Sequence, residues 1–155
     1  MTTIELGNIV LVIDEVKTRE FYKSQNGFIC TCPNCKDFVN KTPHILNILD
    51  GIDHKLGIDL HKDVGQGMDE LMPIDSDNTL LYVVPYYAVG KCFVNEVELE
   101  KQLAGPIWPN TKRASYKLSE KLTWTIINTS ESIKIDNVES VITIWFEYKT
   151  ELIEE

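Results

Sequence analysis

Leu80-Leu-Tyr-Val-Val-Pro-Tyr-Tyr-Ala-Val-Gly-Lys-Cys-Phe-Val94 is the stretch whose reading decides the architecture. It is apolar on both pleat faces, which predicts one or two strands covered from both sides. Pro85 cannot donate to a strand ladder, so it must lie at an edge, at a bulge, or at the break between two strands.

Downstream of it the pattern changes to alternation. Tyr116, Leu118, Leu122, Trp124 and Ile126 share one parity, the period of a half-buried strand, and Ile142, Ile144, Phe146, Tyr148 and Leu152 repeat it. Ile133 and Ile135 make a shorter strand piece between them. The C-terminal half therefore reads as an antiparallel meander with one wet face. Val97, Leu99 and Leu103 fit a short helix or edge strand, and Gly105–Pro109 a loop.

Upstream, Ile4–Leu6 and Ile9–Ile13 flank Gly7-Asn8 and predict an opening strand or a tight hairpin. Val16, Phe21 and Tyr22 among charges predict a short helix over Asp14–Gln25, capped by Asp14 and ended by Asn26-Gly27. A second short helix is expected to start with Thr42 as its N-cap and Pro43 in its first turn. Ile45, Leu46, Ile48, Leu49 and Ile52 form its buried stripe, and Gly51 stops it. From Asp53 to Asn78 the chain reads as polar loop with at most one turn of helix. The fold class is thus α+β: a mostly antiparallel sheet, a meander in the C-terminal half, with two short N-terminal helices packed on it. Neither repeats nor linkers divide the chain, so residues 1–155 are read as a single domain.

Composition narrows the function classes. The chain carries 15 Lys+Arg against 24 Asp+Glu, a net charge of -9. Nucleic-acid binding rests on a basic stripe that displaces counterions, and an acidic chain with only Arg19 and Arg113 as arginines offers none. The longest uncharged apolar run, Leu80–Gly90, is too short for a membrane span and is interrupted by Pro85. The N-terminus has no basic region ahead of an apolar run, so the expected location is the cytoplasm.

Cys30, Cys32 and Cys35 are three of the four cysteines and lie within six positions. In extended backbone Cys30 and Cys32 face the same way, and Pro33-Asn34 can turn Cys35 back toward them. Three thiolates converging on one point could bind zinc, with Cys92, His44, His54 or His61 as a fourth ligand. However, no paired knuckle stands at the usual spacing. The plainer reading is reduced thiols packed as small apolar groups at a helix start. A third reading is redox. Cys32-Pro-Asn-Cys35 resembles the Cys-Pro-x-Cys of glutaredoxin-like proteins and Val84-Pro85 mimics their facing Val-Pro, but the surrounding strand order does not fit that fold. His44, His54 and His61 stand beside Asp50, Asp53, Asp59 and Asp63. An acid/base pair or a metal site can be drawn from them, but surface residues of a polar loop account for them as well.

The order of features resembles a family of small uncharacterised bacterial proteins. An N-terminal strand is followed by a short helix bearing Phe21-Tyr22 and then by Cys30-Thr-Cys-Pro-Asn-Cys-Lys-Asp-Phe38. After these come Leu56-Gly-Ile-Asp59, Tyr86-Tyr-Ala-Val-Gly90 and a closing strand like Val141-Ile-Thr-Ile-Trp-Phe-Glu147. Two departures stand out: Asp37 where that family carries Asn, and Val83-Val-Pro85 in place of a Gly-Gly-Trp lead-in. The resemblance implies this order of elements and a bacterial or phage origin; it implies no reaction.

The sequence names no catalytic set. The reading it favours is a non-enzymatic, acidic protein-binding module whose charge steers it to a basic protein partner, with no nucleic-acid or membrane partner. The alternatives are a zinc-stabilised domain using Cys30, Cys32 and Cys35, and a thiol oxidoreductase using Cys32 and Cys35.

Overall fold

The computed structural model describes residues 1–27, 33–62, 79–101, 112–130 and 133–151. Among them the chain forms an α+β fold with seven strands in one sheet and three helices. The strands are β1 (Thr2–Leu6), β2 (Ile9–Ile13), β3 (Thr79–Val94), β4 (Val97–Glu98), β5 (Ala114–Lys117), β6 (Leu122–Asn128) and β7 (Val141–Glu151). The helices are α1 (Glu15–Lys23), α2 (Pro33–Leu49) and α3 (Ile52–Leu56). The strand order is β1-β2-β3-β7-β6-β5, with β4 paired to β3 off that path, and all these pairings are antiparallel.

The long apolar stretch is a single strand that changes partner along its length. Residues 79–89 of β3 pair with β7, and Gly90–Val94 pair with β2. Among the described residues no strand lies beside the edge of β3 opposite β7 over residues 79–89, and α1 closes part of it. The Tyr22 hydroxyl accepts from the Tyr87 N–H (2.8 Å) and donates to the Tyr87 carbonyl (2.7 Å). The Thr18 Oγ1 accepts from the Val89 N–H (2.9 Å), and the Asp14 N–H donates to the Val89 carbonyl (2.8 Å). Two side chains and a helix cap thus do what a neighbouring strand would, blunting an edge that would otherwise invite pairing. Pro85 has the same parity as Tyr87 and Val89, so its missing donor faces this edge and removes no bond to β7.

Core positions of all the main strands lie on one face. Ile4, Leu11 and Cys92 are in register across β1, β2 and β3; Tyr82, Tyr148 and Leu122 are in register across β3, β7 and β6; all six are buried. The Gly7 turn of the β1–β2 hairpin lies against the Tyr116 ring of β5, so the two ends of the strand order approach each other and the sheet curls around its core. Phe38 of α2 meets Tyr82 edge-on at 6.0 Å, and the Tyr86 hydroxyl donates to the Leu60 carbonyl, which places α2 and the segment after α3 on that buried face. Trp124, Phe146 and Tyr86 stack in sequence at its centre.

Several sequence expectations need correction. Among the described residues the helices are three, and the second is neither short nor started by Thr42. It begins at Pro33 and runs 17 residues, with Pro43 inside it. Its buried stripe is Cys35, Phe38, Thr42, Ile45 and Leu49, spaced alternately by three or four residues on one helix face. Thr42 is buried within that stripe and donates its hydroxyl to the Phe38 carbonyl one turn back (3.2 Å), while Pro43 sits on the exposed side. Gly51 follows the end of α2 as expected, and α1 matches its expected span, with Asp14 accepting from the Lys17 N–H (3.1 Å).

Tyr116–Ile126 is a hairpin, not one strand. Its turn at residues 118–121 is held by the Ser119 hydroxyl, which accepts from the Lys121 and Leu122 N–H groups. Ile133 and Ile135 pack on the core without strand pairing. The outer face of the meander is not wet throughout, since Ile127 and Thr143 on it are buried. The loop expected at Gly105–Pro109, Leu103, Leu152 and most of the polar run up to Asn78 lie outside the described residues. No described helix is long and apolar enough to cross a membrane.

Candidate functional site

Of the cysteine stretch, Cys30 and Cys32 lie outside the described residues. Cys35 belongs to the first turns of α2 and is 1% exposed, part of the same stripe as Phe38 and Ile45. Its small polarisable side chain packs where α2 begins to lie on the sheet. Among the described residues no three His, Cys, Asp or Glu side chains gather as a metal-holding group.

Cys92, on β3 opposite Leu11, is fully buried, and burial pushes its thiol from 9.0 up to about 11. Two results are expected. Near neutral pH the Cys92-bearing peptide should stay unlabelled by iodoacetamide in the native protein and become labelled on unfolding, as read by mass spectrometry. Stability should also depend on alkali. The folded value is the raised one, so Cys92 contributes fully below 9.0, and its contribution is lost as pH rises toward about 11. Tyr22 acts in the same direction, because burial raises its phenol well above the usual value. A melting temperature that stays flat across that alkaline range contradicts this account.

Asp37, next to the cysteine stretch, accepts a hydrogen bond from the Tyr82 hydroxyl; burial, and after it the Asp37 charge, raises the Tyr148 phenol. Tyr82 and Tyr148 face each other across β3 and β7, and the Tyr82 bond ties Asp37 and the start of α2 to β3. Nothing local marks this contact: Asp37 and Tyr82 are 45 residues apart.

The histidines divide. His44 is on the exposed side of α2. His54 and His61 line a cleft of about 590 Å³ together with Asp53 and Asp59, and Arg19, Lys23 and Lys62 supply cations to it. α1 brings Arg19 and Lys23; α3 and the turn after it bring the rest. Gly57 (φ 76°) makes the approach of these elements possible, since a Cβ there would stand 2.5 Å from the Glu15 carbonyl oxygen and 3.2 Å from the Arg19 nitrogen. The cleft is shaped by backbone contacts: Arg19 donates to the His54 carbonyl (3.2 Å), Lys62 donates to the Gln25 carbonyl (3.1 Å), and Asp59 accepts from the His61 N–H (2.9 Å). The His/Asp cluster was legible in the sequence, but its three cations were not, because two of them come from a helix more than thirty residues upstream.

A second surface lies on the outer face of the N-terminal strands. Glu5, Val10, Phe93 and Glu98 are in register across β1, β2, β3 and β4, with Thr3, Val12 and Lys91 forming the next row. Val10, Val12 and Phe93 are half-buried; Glu5 and Glu98 are exposed. At a strand spacing of about 4.8 Å the row is about 14 Å long, with a carboxylate at each end and an apolar middle. Glu96 and Glu100 flank β4, and Val97 between them is 69% exposed.

No protein-family model, curated protein or solved structure matches the chain.

Proposed function

We propose that the chain is a non-enzymatic binding module that docks a basic segment of a partner protein on the outer face of β1–β2–β3–β4. The observation that carries this reading is the row Glu5–Val10–Phe93–Glu98: an apolar strip that excludes water, bounded by carboxylates that pair with Lys or Arg at its rim. Net charge -9 favours such a partner at long range, and Glu96 and Glu100 extend the acidic border.

The test is a titration with a basic peptide in which Lys or Arg alternates with apolar residues, followed by amide NMR shifts. Saturable shifts are expected at Val10, Val12 and Phe93. The Glu5→Lys/Glu98→Lys variant should bind about tenfold or more weakly at low salt, and the difference should shrink once the Debye length falls to about 8 Å. Both positions are exposed, so the variant should fold like the parent. Shifts confined to other surfaces, or equal binding by the variant, overturn the proposal.

A further inference from the structure

The cleft between α1, α3 and residues 57–62 is independent of that strand face. Its charge is opposite to that of the chain as a whole: Arg19, Lys23 and Lys62 outnumber Asp53 and Asp59, within a molecule of net charge -9. Two of the cations are oriented without being neutralised by the bonds that orient them, because Arg19 and Lys62 donate to the backbone carbonyls of His54 and Gln25. Among the described residues the carboxylate paired with Arg19 is Glu15 at 3.3 Å, a surface i,i+4 partner, a class of pair worth about 0.3–0.5 kcal/mol. Below the cations the lining turns apolar, with Leu46, Ile58, Leu60 and the ring of Tyr22, whose hydroxyl is held by the Tyr87 backbone.

We infer that this cleft binds a phosphorylated, hydroxyl-bearing small molecule of the nucleoside monophosphate class. A phosphate dianion can take the guanidinium N–H groups that Arg19 does not give to Glu15 and His54, together with the ammonium groups of Lys23 and Lys62 that line the same cleft. Asp53 and Asp59 are acceptors of the kind that hold sugar hydroxyls, and the apolar lining suits a flat ring. A volume of about 590 Å³ accommodates a ligand of that size.

Adenosine 5′-monophosphate is the probe, with ribose 5-phosphate, adenosine and inorganic phosphate as comparison arms, all read by amide NMR shifts. Saturable shifts are expected at Ile58, Leu60 and Lys62 with the monophosphate, and weaker binding by at least about tenfold with adenosine or phosphate alone. Lys23→Gln/Lys62→Gln should lose about tenfold or more in affinity for the monophosphate, while loss of the Lys62–Gln25 contact lowers the melting temperature by no more than about 4 °C. Absence of saturable shifts, equal affinity of the double variant, or equal affinity of phosphate and the monophosphate each overturns the inference. Basic-peptide binding by the parent and by the double variant is measured alongside, so failure here leaves the strand-face reading standing and the reverse holds too.

Discussion

Gly90→Ala is expected to destabilise the fold more than any other exchange of one small residue among those described. Gly90 is where β3 leaves β7 and takes up β2, and its φ of 156° belongs to a region that side chains rarely tolerate. A Cβ built there would stand 2.2 Å from the Val12 carbonyl oxygen and 2.9 Å from the Ile13 Cα, both backbone atoms of β2. The clash cannot be relieved by turning a side chain; β2 must move, and with it the Leu11–Cys92 and Ile13–Gly90 pairings that anchor the N-terminal hairpin. Backbone strain and overpacking together should cost about 4 kcal/mol. That is a large share of a domain stability of about 5–15 kcal/mol. At about 2–4 °C per kcal/mol for a chain of this size, the melting temperature should fall by about 8–16 °C in a calorimetric scan. A drop under about 2 °C would mean that the two strands are not packed this closely.

Tyr22→Phe should come next, and for a different reason. The substitution keeps the ring in place and removes one oxygen, but that oxygen bonds both the N–H and the carbonyl of Tyr87 on the edge of β3 opposite β7. Losing both hydrogen bonds costs about 0.5–1.5 kcal/mol each, so about 1–3 kcal/mol is expected in denaturant unfolding. Native-state hydrogen exchange gives the discriminating readout. The Tyr87 amide should lose protection beyond the global change, while the Tyr86 and Ala88 amides, whose parity points them to β7, should follow the global change only. Uniform loss at all three positions, or a cost below about 0.5 kcal/mol, would show that the hydroxyl does not hold the edge.

Features set by neighbours in sequence were legible before any coordinates. The Gly7-Asn8 hairpin, the Asp14 cap with its helix, and the alternation from Ile142 to Tyr148 all rest on interactions within a few residues, and all are found. Thr42-Pro43 misled because a Thr-Pro pair satisfies helix-start chemistry and is also tolerated on the exposed side of a longer helix. The Cys35–Phe38–Thr42–Ile45–Leu49 stripe decides between them, and it reads as a stripe only once Cys35 and Thr42 are counted as core. The parity shared by Tyr116 and Ile126 misled in a related way. A hairpin turn between them returned both strands to the same face, so the alternation survived while the direction of the chain reversed.

At the candidate sites the division is sharper. The sequence offered Cys35 as a packed thiol, a zinc ligand or a redox group; it lies buried at the start of α2, while Cys30 and Cys32, which the last two readings need, lie outside the described residues. Of the group His44, His54, His61, Asp50, Asp53, Asp59 and Asp63 that the sequence drew, His54, His61, Asp53 and Asp59 share one cleft, His44 is apart on α2, and Asp63 lies outside the described residues. Arg19, Lys23, Glu5 and Glu98 carried no local signal, since their meaning depends on which distant segment lies beside them.

By itself, then, the amino-acid order determined an α+β chain with an acidic balance, its turns, its first helix and the alternation of its strands, all through steric and hydrogen-bonding preferences acting over a few bonds. Tertiary structure alone decided that β3 would divide its partners between β2 and β7, that hydroxyls of α1 would close the edge left open, and that three cations would meet in a negatively charged molecule. Those outcomes follow from burying one continuous apolar face across segments far apart in the chain, a condition that no short window of residues contains.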